Sequence, residues 1–382
     1  MTQNETRIQK MNNIFIWSPM TSHVGTIKAS TGMAKAFKNF GKANVYLINV
    51  FGEFNSFEKD KNYKLLNIFN KLPFYKTGVL SKISIYLFTL FSIPHLIIFI
   101  IKYKPKVIVA CLVGYLPTIL KVIFKDLIII NSIQGYPKLN VLRGFIWKIF
   151  YSKSDGLITM TDITKNKLQK IFGFHSSKII KIDNPIISRS MRLMANENLE
   201  NEDLRYFKKK VFCSIGRLTR QKNYLELLKA FNTFSKIHKN EVNLIIIGEG
   251  EDRFILEEFI KKNNIDNCFL LGFKKNPYKY LSRANLYISS SLWEEPGHTI
   301  IEAGYLNIPV LSSDCPNGPR EIIKDNINGF KYSTNKHDEF VNKLIEIENI
   351  DKKKLAIIKY NMKKTISNFT EAKFYNKFKN LI

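Results

Sequence analysis

Two cations stand close together in a loop of the second half of the chain. Arg217 and Lys222 lie five positions apart in VFCSIGRLTRQKNYLELLKAF, a pattern typical of a strand, a loop and a helix. A helix start offers free backbone N–H groups and the positive end of the helix dipole, both of which favour anions. Two cations there predict a site for a diphosphate rather than for a neutral ligand. The alternative is that both are solvated side chains of a surface loop.

A pair of carboxylates follows further along the chain, around a Pro-Gly turn. Glu294 and Glu302 are separated by seven residues, between a strand that ends in small hydroxyl residues and a new helix. The amides of Gly297, His298 and Thr299 form a second place for an anion at this helix start. Glu302, in the first turn, would accept ribose hydroxyls. The alternative for Glu302 is a capping box, Thr299-x-x-Glu302, and for Glu294 a solvated loop.

The elements that must position these residues are predicted by periodicity. Short, continuous runs rich in Ile and Val alternate with helical stretches, which is typical of parallel strands covered on both faces. The predicted strands are 13–17, 44–50, 107–111, 127–131, 156–160, 211–215, 243–247, 268–271, 286–289 and 309–312. The predicted helices are 26–40, 224–238, 253–263, 277–282 and 299–306. The pattern predicts an α/β fold with two doubly wound, Rossmann-like domains that face each other across a cleft.

The strand and helix alternation stops after the Asn-Pro pair at 184–185, where a polar stretch carries both charge signs. A domain boundary is the simplest interpretation of such a stretch. We therefore expect an N-terminal domain (1–187), a linker (188–208), a C-terminal domain (209–365) and a C-terminal helix (366–382) that packs back on the N-terminal domain.

The charge of the chain is high and uneven. The 382 residues include 59 Lys and Arg against 32 Asp and Glu, a formal charge of +27, which favours polyanions without choosing among them. Residues 61–153 contain 14 Lys and Arg and one acid, Asp126. Basic residues interleaved with Phe, Trp, Tyr and Ile favour an anionic membrane surface. The alternative is compositional, because Lys, Asn and Ile are abundant throughout the chain.

Residues 83–101 form an apolar run of 19 residues without formal charge, close to the length that spans a bilayer. Pro94 and His95 interrupt it near its middle. Three interpretations remain open: a transmembrane helix, a buried or groove helix of the first domain, and a helix that lies in the membrane interface.

The cysteines and the first residues indicate a reducing compartment. Four cysteines occur far apart and without a C-x-x-C pair (Cys111, Cys213, Cys268 and Cys315), which argues against a disulfide scaffold or a cysteine zinc site. The chain begins with a polar, charged stretch and no secretory pattern. We expect a cytoplasmic protein that associates peripherally with the inner face of the cytoplasmic membrane.

The ordered motifs of the second half resemble a known family. They are Gly216-Arg217 with Lys222-Asn223, IIGEGEDR, LLGF, the Glu294 to Glu302 spacing and IPVLSSDCPNGPREII. In this order they resemble the retaining, nucleotide-sugar-dependent glycosyltransferases of the GT-B fold, in the large fourth family. The first half adds SPMTSHVGTIKASTGMAKAF, KPKVIVACLVGYLP and NSIQGYPKLNVLRGFIWK. The last of these is similar to members that assemble bacterial capsule, O-antigen or exopolysaccharide.

The resemblance implies three catalytic residues. Arg217 and Lys222 would hold the donor diphosphate and compensate charge on the departing nucleotide, and Glu294 would contact the donor sugar. In such enzymes the acceptor is thought to attack from the leaving-group face while the donor phosphate takes the proton. The family therefore implies no protein nucleophile, no cofactor and no metal, since the two cations take the place of a metal.

The resemblance also implies a set of donor-binding residues. Glu302 would bind the ribose and the amides of the turn before it the phosphates. Phe273 would lie near the base, and Gly25 would allow a close approach of the first domain's backbone to the diphosphate or acceptor. The full set is Gly25, Gly216, Gly272, Phe273, Gly297, His298, Thr299 and Glu302.

The chain departs from the family pattern at a few positions. Glu295 stands where many members have glycine, which adds a carboxylate near the sugar subsite. Many members carry histidine in the regions that here contain Val109, Cys111, Ser132 and Gln134. His23 is the substitute we name, although an isolated histidine is more often an ordinary loop residue.

The resemblance predicts an enzyme of cell-surface polysaccharide biosynthesis. It would move a hexose or N-acetylhexosamine from a nucleotide sugar, a UDP-sugar by expectation, to a lipid-linked or membrane-displayed glycan. An alternative of the same fold is a nucleotide-sugar epimerase or hydrolase. A remote alternative is a basic nucleic-acid-binding protein, but the sequence contains none of the compact recognition motifs of that class, so we expect no nucleic-acid partner.

Overall fold

The computed structural model describes residues 13–20, 25–58, 60–69, 87–137, 139–239 and 241–382. His23 and residues 83–86 therefore lie outside the described residues. The chain forms two compact units, one of residues 1–186 with 369–382 and the other of residues 187–368.

The first unit contains a seven-stranded parallel sheet in the order β3-β2-β1-β4-β5-β6-β7. Its strands are β1 (Asn13–Trp17), β2 (Asn44–Asn49), β3 (Lys64–Asn67), β4 (Val107–Ala110), β5 (Ile128–Ile133), β6 (Gly156–Thr159) and β7 (Ile179–Lys181). The helices are α1 (Gly25–Gly41), α2 (Ile93–Tyr103), α3 (Tyr115–Ile119), α4 (Val141–Ser152) and α5 (Asp162–Phe172), with short 3-10 helices at Asn55–Phe57 and Leu120–Val122. Alternate residues of β1 pack into different clusters, because successive side chains of a strand point to opposite faces.

The last residues of the chain belong to the first unit. Helix α14 (Glu371–Phe378) packs on α1 through aromatic rings. The ring of Phe37 lies 4.7 Å from that of Phe378 and 5.7 Å from that of Phe374, in edge-to-face geometry. Such pairs add to the stabilisation from buried area, so this contact holds the end of the chain on the first sheet.

The second unit contains a six-stranded parallel sheet in the order β10-β9-β8-β11-β12-β13. Its strands are β8 (Lys210–Ile215), β9 (Val242–Ile247), β10 (Cys268–Leu270), β11 (Leu286–Ser289), β12 (Val310–Ser313) and β13 (Phe330–Tyr332). Its helices are α6 (Arg189–Ala195), α7 (Tyr224–Ile237), α8 (Arg253–Lys262), α9 (Tyr278–Leu281), α10 (His298–Tyr305), α11 (Gly318–Ile322), α12 (His337–Glu348) and α13 (Lys352–Ile366), with 3-10 helices at Asn201–Lys208 and Ser367–Phe369. Two parallel-sheet α/β units are thus present, as the alternation predicts.

The stretch expected as a linker, residues 188–208, is instead part of the second unit. It forms α6 and the 3-10 helix Asn201–Lys208, and it buries Met191, Leu199 and Tyr206. The guanidinium of Arg192 lies 4.7 Å from the ring centre of Tyr305 on α10. These few apolar side chains are spaced among charges, which hides them from a search for continuous apolar runs.

From Ile93 onward the apolar run is helical, and its proline does not end the helix. Helix α2 begins at Ile93, so Pro94 stands in its first turn, where a missing N–H costs nothing. Leu96 and Ile100 are buried against the sheet, while Ile98 and Ile101 are exposed. No helix among the described residues is both long enough and apolar enough to cross a membrane.

A buried carboxyl group, Glu53, lies in the turn after β2. Its two oxygens accept hydrogen bonds from the backbone N–H groups of Val50 (3.2 Å) and Phe51 (2.6 Å). Burial among apolar side chains raises its pKa from the ordinary 4.5 to about 7, although the backbone donors act in the opposite direction. The folded protein therefore holds this proton at a pH where the unfolded chain has released it.

We predict that replacing Glu53 flattens the pH dependence of stability. Since the pKa of Glu53 is raised in the folded protein, its carboxyl group makes its full contribution to the free energy of unfolding below pH 4.5. This contribution, up to about 3 kcal/mol, is lost as the pH rises to about 7. Thermal unfolding followed by circular dichroism at pH 5 and pH 7.5 should show a smaller difference in Glu53→Gln than in the wild type. Glu58→Gln, the same change at an exposed position, should behave as the wild type. Equal pH dependence in all three proteins would contradict the prediction.

Candidate functional site

The candidate site lies where the order of the second sheet reverses. From β8 the chain continues outward to β9 and β10 on one side, and then returns to place β11 on the other side of β8. Ligands of open α/β sheets bind outside the carboxyl ends of the strands at such a switch point. The loop after β8 carries Arg217 and Lys222, and the loop after β11 carries Glu294.

Lys222 and Glu294 form an ion pair at this point, although 72 positions separate them in the chain. The side chains are 16% and 9% exposed, so both charges are largely removed from water. The hydroxyl of Ser291 donates a second hydrogen bond, 2.6 Å, to the same carboxylate oxygen, Oε1. The other oxygen, Oε2, accepts no hydrogen bond from the described residues.

The two loops that carry this pair are tied to each other by their own hydrogen bonds. The amide of Gln221 donates to the backbone oxygen of Trp293 (2.9 Å), and the N–H of Leu292 donates to the oxygen of Gln221 (2.8 Å). The hydroxyl of Ser290 donates to the oxygen of Lys222 (2.7 Å). The positions of the cation and the carboxylate are therefore fixed before any ligand arrives.

Glycines allow close contacts between the loops at the carboxyl ends of the strands. A Cβ on Gly216 would come 2.9 Å from Cε of Lys222, and one on Gly248, whose φ is +149°, would come 1.9 Å from the oxygen of Gly216. Gly272 adopts φ +70° after β10 and accepts a hydrogen bond of 2.9 Å from the N–H of Gly248. Loops after three neighbouring strands thus meet, with the cations on the innermost one.

Arg217 and Phe273 differ from the buried pair in their exposure. Arg217 is exposed on the loop of Lys222, and its guanidinium forms no ion pair with the part of the chain that the structure describes. Phe273 follows Gly272 and is 70% exposed. Both side chains are accessible to a ligand at this edge of the sheet.

Helix α10 begins one residue earlier than predicted. Its first residue is His298, and the residue before it, Gly297, adopts φ +92°. Thr299 lies inside the helix, and its hydroxyl accepts a hydrogen bond of 2.6 Å from Tyr287. The capping-box alternative for Glu302 is therefore wrong, because Thr299 is not the capping residue. Glu302 is buried as the fifth residue of the helix.

Gly25 belongs to the first unit, whereas the other predicted site residues belong to the second. It is the first, exposed residue of α1 rather than a loop residue. Gly216, Gly272, Gly297, His298, Thr299 and Glu302 all belong to the second unit, on the loops and the helix after β8, β10 and β11. Of the residues predicted to be catalytic, the structure pairs Lys222 with Glu294 directly.

Sequence reasoning missed the residues that support this pair. Ser291 and Gln221 hold the carboxylate and its loop, and the run of serines after β11 was the available signal. Asn317 is fully buried, bridges to Glu294 through its backbone, and has a side-chain amide without a partner among the described residues. Burial, with Glu294 nearby, raises the pKa of Cys315 to about 12, so this thiol stays protonated at neutral pH.

No group of three His, Cys, Asp or Glu side chains within the described ranges is arranged to hold a metal ion. At the candidate site the described residues offer cations, helix-start amides and a carboxylate. A site with these groups can bind a doubly charged phosphate and a hydroxyl-rich ligand side by side.

Most of the second unit matches a known protein family. Residues 196–364 match the model of the family Glycosyl transferases group 1. The segment is a glycosyl transferases group 1 domain. It includes the 3-10 helix at Asn201–Lys208, in agreement with the place of this helix in the second unit.

Relatives of this glycosyltransferase domain come from bacteria and archaea. An uncharacterized glycosyltransferase of Methanocaldococcus jannaschii is 38% identical over 195 residues, which cover 50% of this chain and 47% of that protein. The N-acetylgalactosamine-N,N'-diacetylbacillosaminyl-diphospho-undecaprenol 4-alpha-N-acetylgalactosaminyltransferase of Campylobacter jejuni is 27% identical over 187 residues, 49% of this chain and 48% of that protein. The chain thus spans about half the length of the relatives it matches.

A solved structure extends the likeness to the whole chain. Anabaena HepE in complex with UDP superimposes with a TM-score of 0.74 at 16% identity, over 96% of this chain and 98% of that one. At this identity the likeness concerns the fold. The GT-B architecture, predicted from the resemblance, is confirmed by this match and by the two parallel sheets.

We predict that Lys222→Met lowers the free energy of unfolding by about 3 kcal/mol, because it leaves Glu294 buried without its cation. Lys331→Met is the matched control, since Lys331 is 20% exposed and pairs with a more exposed partner, Asp314, at 3.0 Å; it should cost less than about 1 kcal/mol. In the double variant Lys222→Met/Glu294→Gln, part of the loss should return. Urea titrations followed by circular dichroism measure all four proteins. Equal losses for the two lysines would refute a buried, coupled pair.

Proposed function

We propose that the protein is a retaining glycosyltransferase that moves a hexose or N-acetylhexosamine from a UDP-sugar to a lipid-linked or membrane-displayed glycan of a cell-surface polysaccharide. The observation that carries the proposal is the Lys222–Glu294 pair at the switch point of a glycosyl transferases group 1 domain. The printed name of the Campylobacter relative, with its diphospho-undecaprenol acceptor, supports the acceptor class. The UDP bound in HepE supports the donor class.

The role of the two cations follows from the charge that the reaction creates. Cleavage of the sugar–phosphate bond leaves a nucleoside diphosphate with new negative charge. Lys222, positioned by Glu294 and by the Gln221–Trp293 contact, and the accessible Arg217 would stabilise that charge. Groups that are already in place lower the barrier because they need no reorganisation during the reaction.

Glu294 would orient the donor sugar. Its Oε1 is held by Lys222 and Ser291, while Oε2 remains available to accept a hydrogen bond from a sugar hydroxyl. A buried carboxylate that is anchored on one oxygen presents the other in a fixed direction, which is what discrimination among sugar hydroxyls requires. Glu295, next in the chain, adds a second acidic residue on this loop and would influence which sugar is accepted.

The start of α10 would hold the phosphates, and Glu302 the ribose. The amides of Gly297, His298 and Thr299 lie at a helix start that carries no side-chain cap. Backbone N–H groups at the start of a helix bind anions well. The donor phosphate would take the acceptor proton on the same face of the sugar, which retains the anomeric configuration without a protein nucleophile, a metal or another cofactor.

The proposed site of action is the cytoplasmic face of the membrane. A lipid-linked acceptor is confined to a bilayer, so an enzyme that uses it must reach that surface. The excess of 13 positive charges in residues 61–153 would draw the first unit to acidic lipid.

We predict that UDP raises the melting temperature of the wild type but not of Arg217→Ala. A ligand that binds the native state must stabilise it, by about 2.7 kcal/mol at a hundred times its Kd. Arg220→Ala is the control, because Arg220 is also exposed and stands three positions further along the same loop. It should keep the shift seen in the wild type. No shift with uridine, guanosine or adenosine diphosphate, or an equal loss in both variants, would remove the donor site.

We further predict that Glu294→Gln and Lys222→Ala lower the transfer rate by at least about a hundredfold, the usual loss for a preorganised electrostatic group. Transfer from UDP-N-acetylglucosamine or UDP-glucose to a polyprenyl-diphosphate glycan is followed by chromatography, and the anomeric proton by NMR. An α-linked product, formed equally in EDTA, is expected. Inversion would overturn the retaining mechanism, and sugar release or epimerisation without acceptor would indicate the hydrolase or epimerase instead.

A further inference from the structure

Helix α4 of the first unit turns an apolar stripe toward solvent. Val141 is 92% exposed, Leu142 67%, Phe145 63% and Ile149 38%. At 3.6 residues per turn these four side chains fall within an arc of about 100°. Tyr151, on the other side of the helix, is buried against the sheet. A surface helix of a globular protein normally shows the reverse, with its apolar arc toward the core.

The exposed side chains of α2 lie in the same helical layer. In β5, Ile129 packs in the cluster of α2 and Ile133 in the cluster of α4. Residues four apart in a strand point to the same face, so α2 and α4 cover the same face of the first sheet. The short helices between them join this layer, since the rings of Tyr115 and Phe150 lie 6.0 Å apart.

Exposed apolar side chains are concentrated in this layer. More than half of the exposed large hydrophobic side chains among the described residues belong to residues 87–149. We call this set the apolar surface: Leu87, Leu90, Phe91, Ile98, Ile101, Ile119, Val122, Ile123, Val141, Leu142, Phe145 and Ile149. Isolated apolar residues need no explanation, but a concentration of this kind indicates an interaction site.

The charges around the apolar surface are almost all positive. Exposed cations stand on or beside the same helices (Lys102, Lys104, Lys106, Lys125, Arg143, Lys148 and Lys153). Asp126 is the one acid in the sequence of residues 87–153. Apolar side chains surrounded by lysines are suited to a leaflet of anionic lipid. The acyl chains accept the apolar side chains, and the lipid phosphates attract the lysines.

We propose that the apolar surface docks the protein on an anionic membrane, and that Leu142 and Phe145 of α4 insert among the acyl chains. Two observations favour lipid over a protein partner. Interfaces between proteins are depleted in Lys, which is abundant here. A second copy of the chain, related by a two-fold axis, would place these cations against each other. The delivery of a lipid-linked acceptor at this surface rests on the proposed function, whereas membrane docking itself does not.

Flotation with vesicles tests the proposal on the full chain. The wild type should float with phosphatidylcholine vesicles that contain phosphatidylglycerol, and Leu142→Gln/Phe145→Gln should lower the partition constant at least tenfold. Phe254→Gln/Ile255→Gln is the matched control, because these adjacent side chains of the second unit are 68% and 52% exposed. It should float as the wild type does. Equal binding of wild type and Leu142→Gln/Phe145→Gln, or no binding of the wild type, would overturn the proposal.

A fluorescent probe at position 145 separates insertion from adhesion by charge. The four native cysteines are buried, so an NBD label attaches selectively to Phe145→Cys. Its emission should shift to shorter wavelength with anionic vesicles and keep part of the shift in high salt. An unshifted label, slow labelling without vesicles, or a dimer that the Leu142→Gln/Phe145→Gln change dissociates would each overturn the insertion.

The UDP-dependent melting shift distinguishes this inference from the proposed function. Leu142→Gln/Phe145→Gln should retain the shift of the wild type, because the change lies in the other unit. Flotation without any nucleotide binding would leave the docking surface and remove the glycosyltransferase proposal. Nucleotide binding without flotation would overturn the docking surface and leave the glycosyltransferase proposal in place.

Discussion

The ion pair between Lys222 and Glu294 is the contact on which the arrangement of the second unit's loops depends. Two charges that are largely removed from water are tolerable only together, since either one alone would carry the full desolvation cost. The loops around them are arranged accordingly, with Gln221, Ser290 and Ser291 each donating a hydrogen bond that holds one loop to the other or fixes the carboxylate. A ligand therefore meets a fixed pattern of charge rather than mobile side chains.

The order of the sheet explains why this pattern forms at the end of β8. Because β8 has β9 on one side and β11 on the other, the strand order reverses at β8, and the loops after β8 and β11 lie side by side at the carboxyl ends of the strands. Small residues are needed where the backbones crowd. Gly248 cannot carry a Cβ next to the oxygen of Gly216, nor Gly318 next to that of Pro296, at 1.7 Å. The positions of the charged residues of the site are thus a consequence of the strand order and of close backbone contacts.

The central strands and the residue types of the site could be predicted from the sequence, but other features could not. The runs at 107–110 in β4 and 244–247 in β9 are continuous and apolar, whereas the short edge strands β3, β7 and β13 each include a lysine and give no such signal. Arg217, Lys222 and Glu294 stand out as charged groups at strand ends. The pairing of Lys222 with Glu294 could not be predicted, because a contact across 72 positions depends on the strand order, and local periodicity does not reveal that order.

The lysines of the two units stand in different surroundings, and these surroundings say more about function than the number of lysines does. Lysine is abundant throughout the chain, so a basic stretch alone says little about a partner. Helix α13 is as basic as any part of the first unit and also exposes Ile357 and Tyr360, yet these two stand alone among its charges. In the first unit the lysines stand on or beside helices that expose many apolar side chains, and in the second a lysine is buried against a carboxylate. It is therefore the surroundings of each lysine, rather than their number, on which we base the two proposals, a membrane for the first unit and a diphosphate for the second.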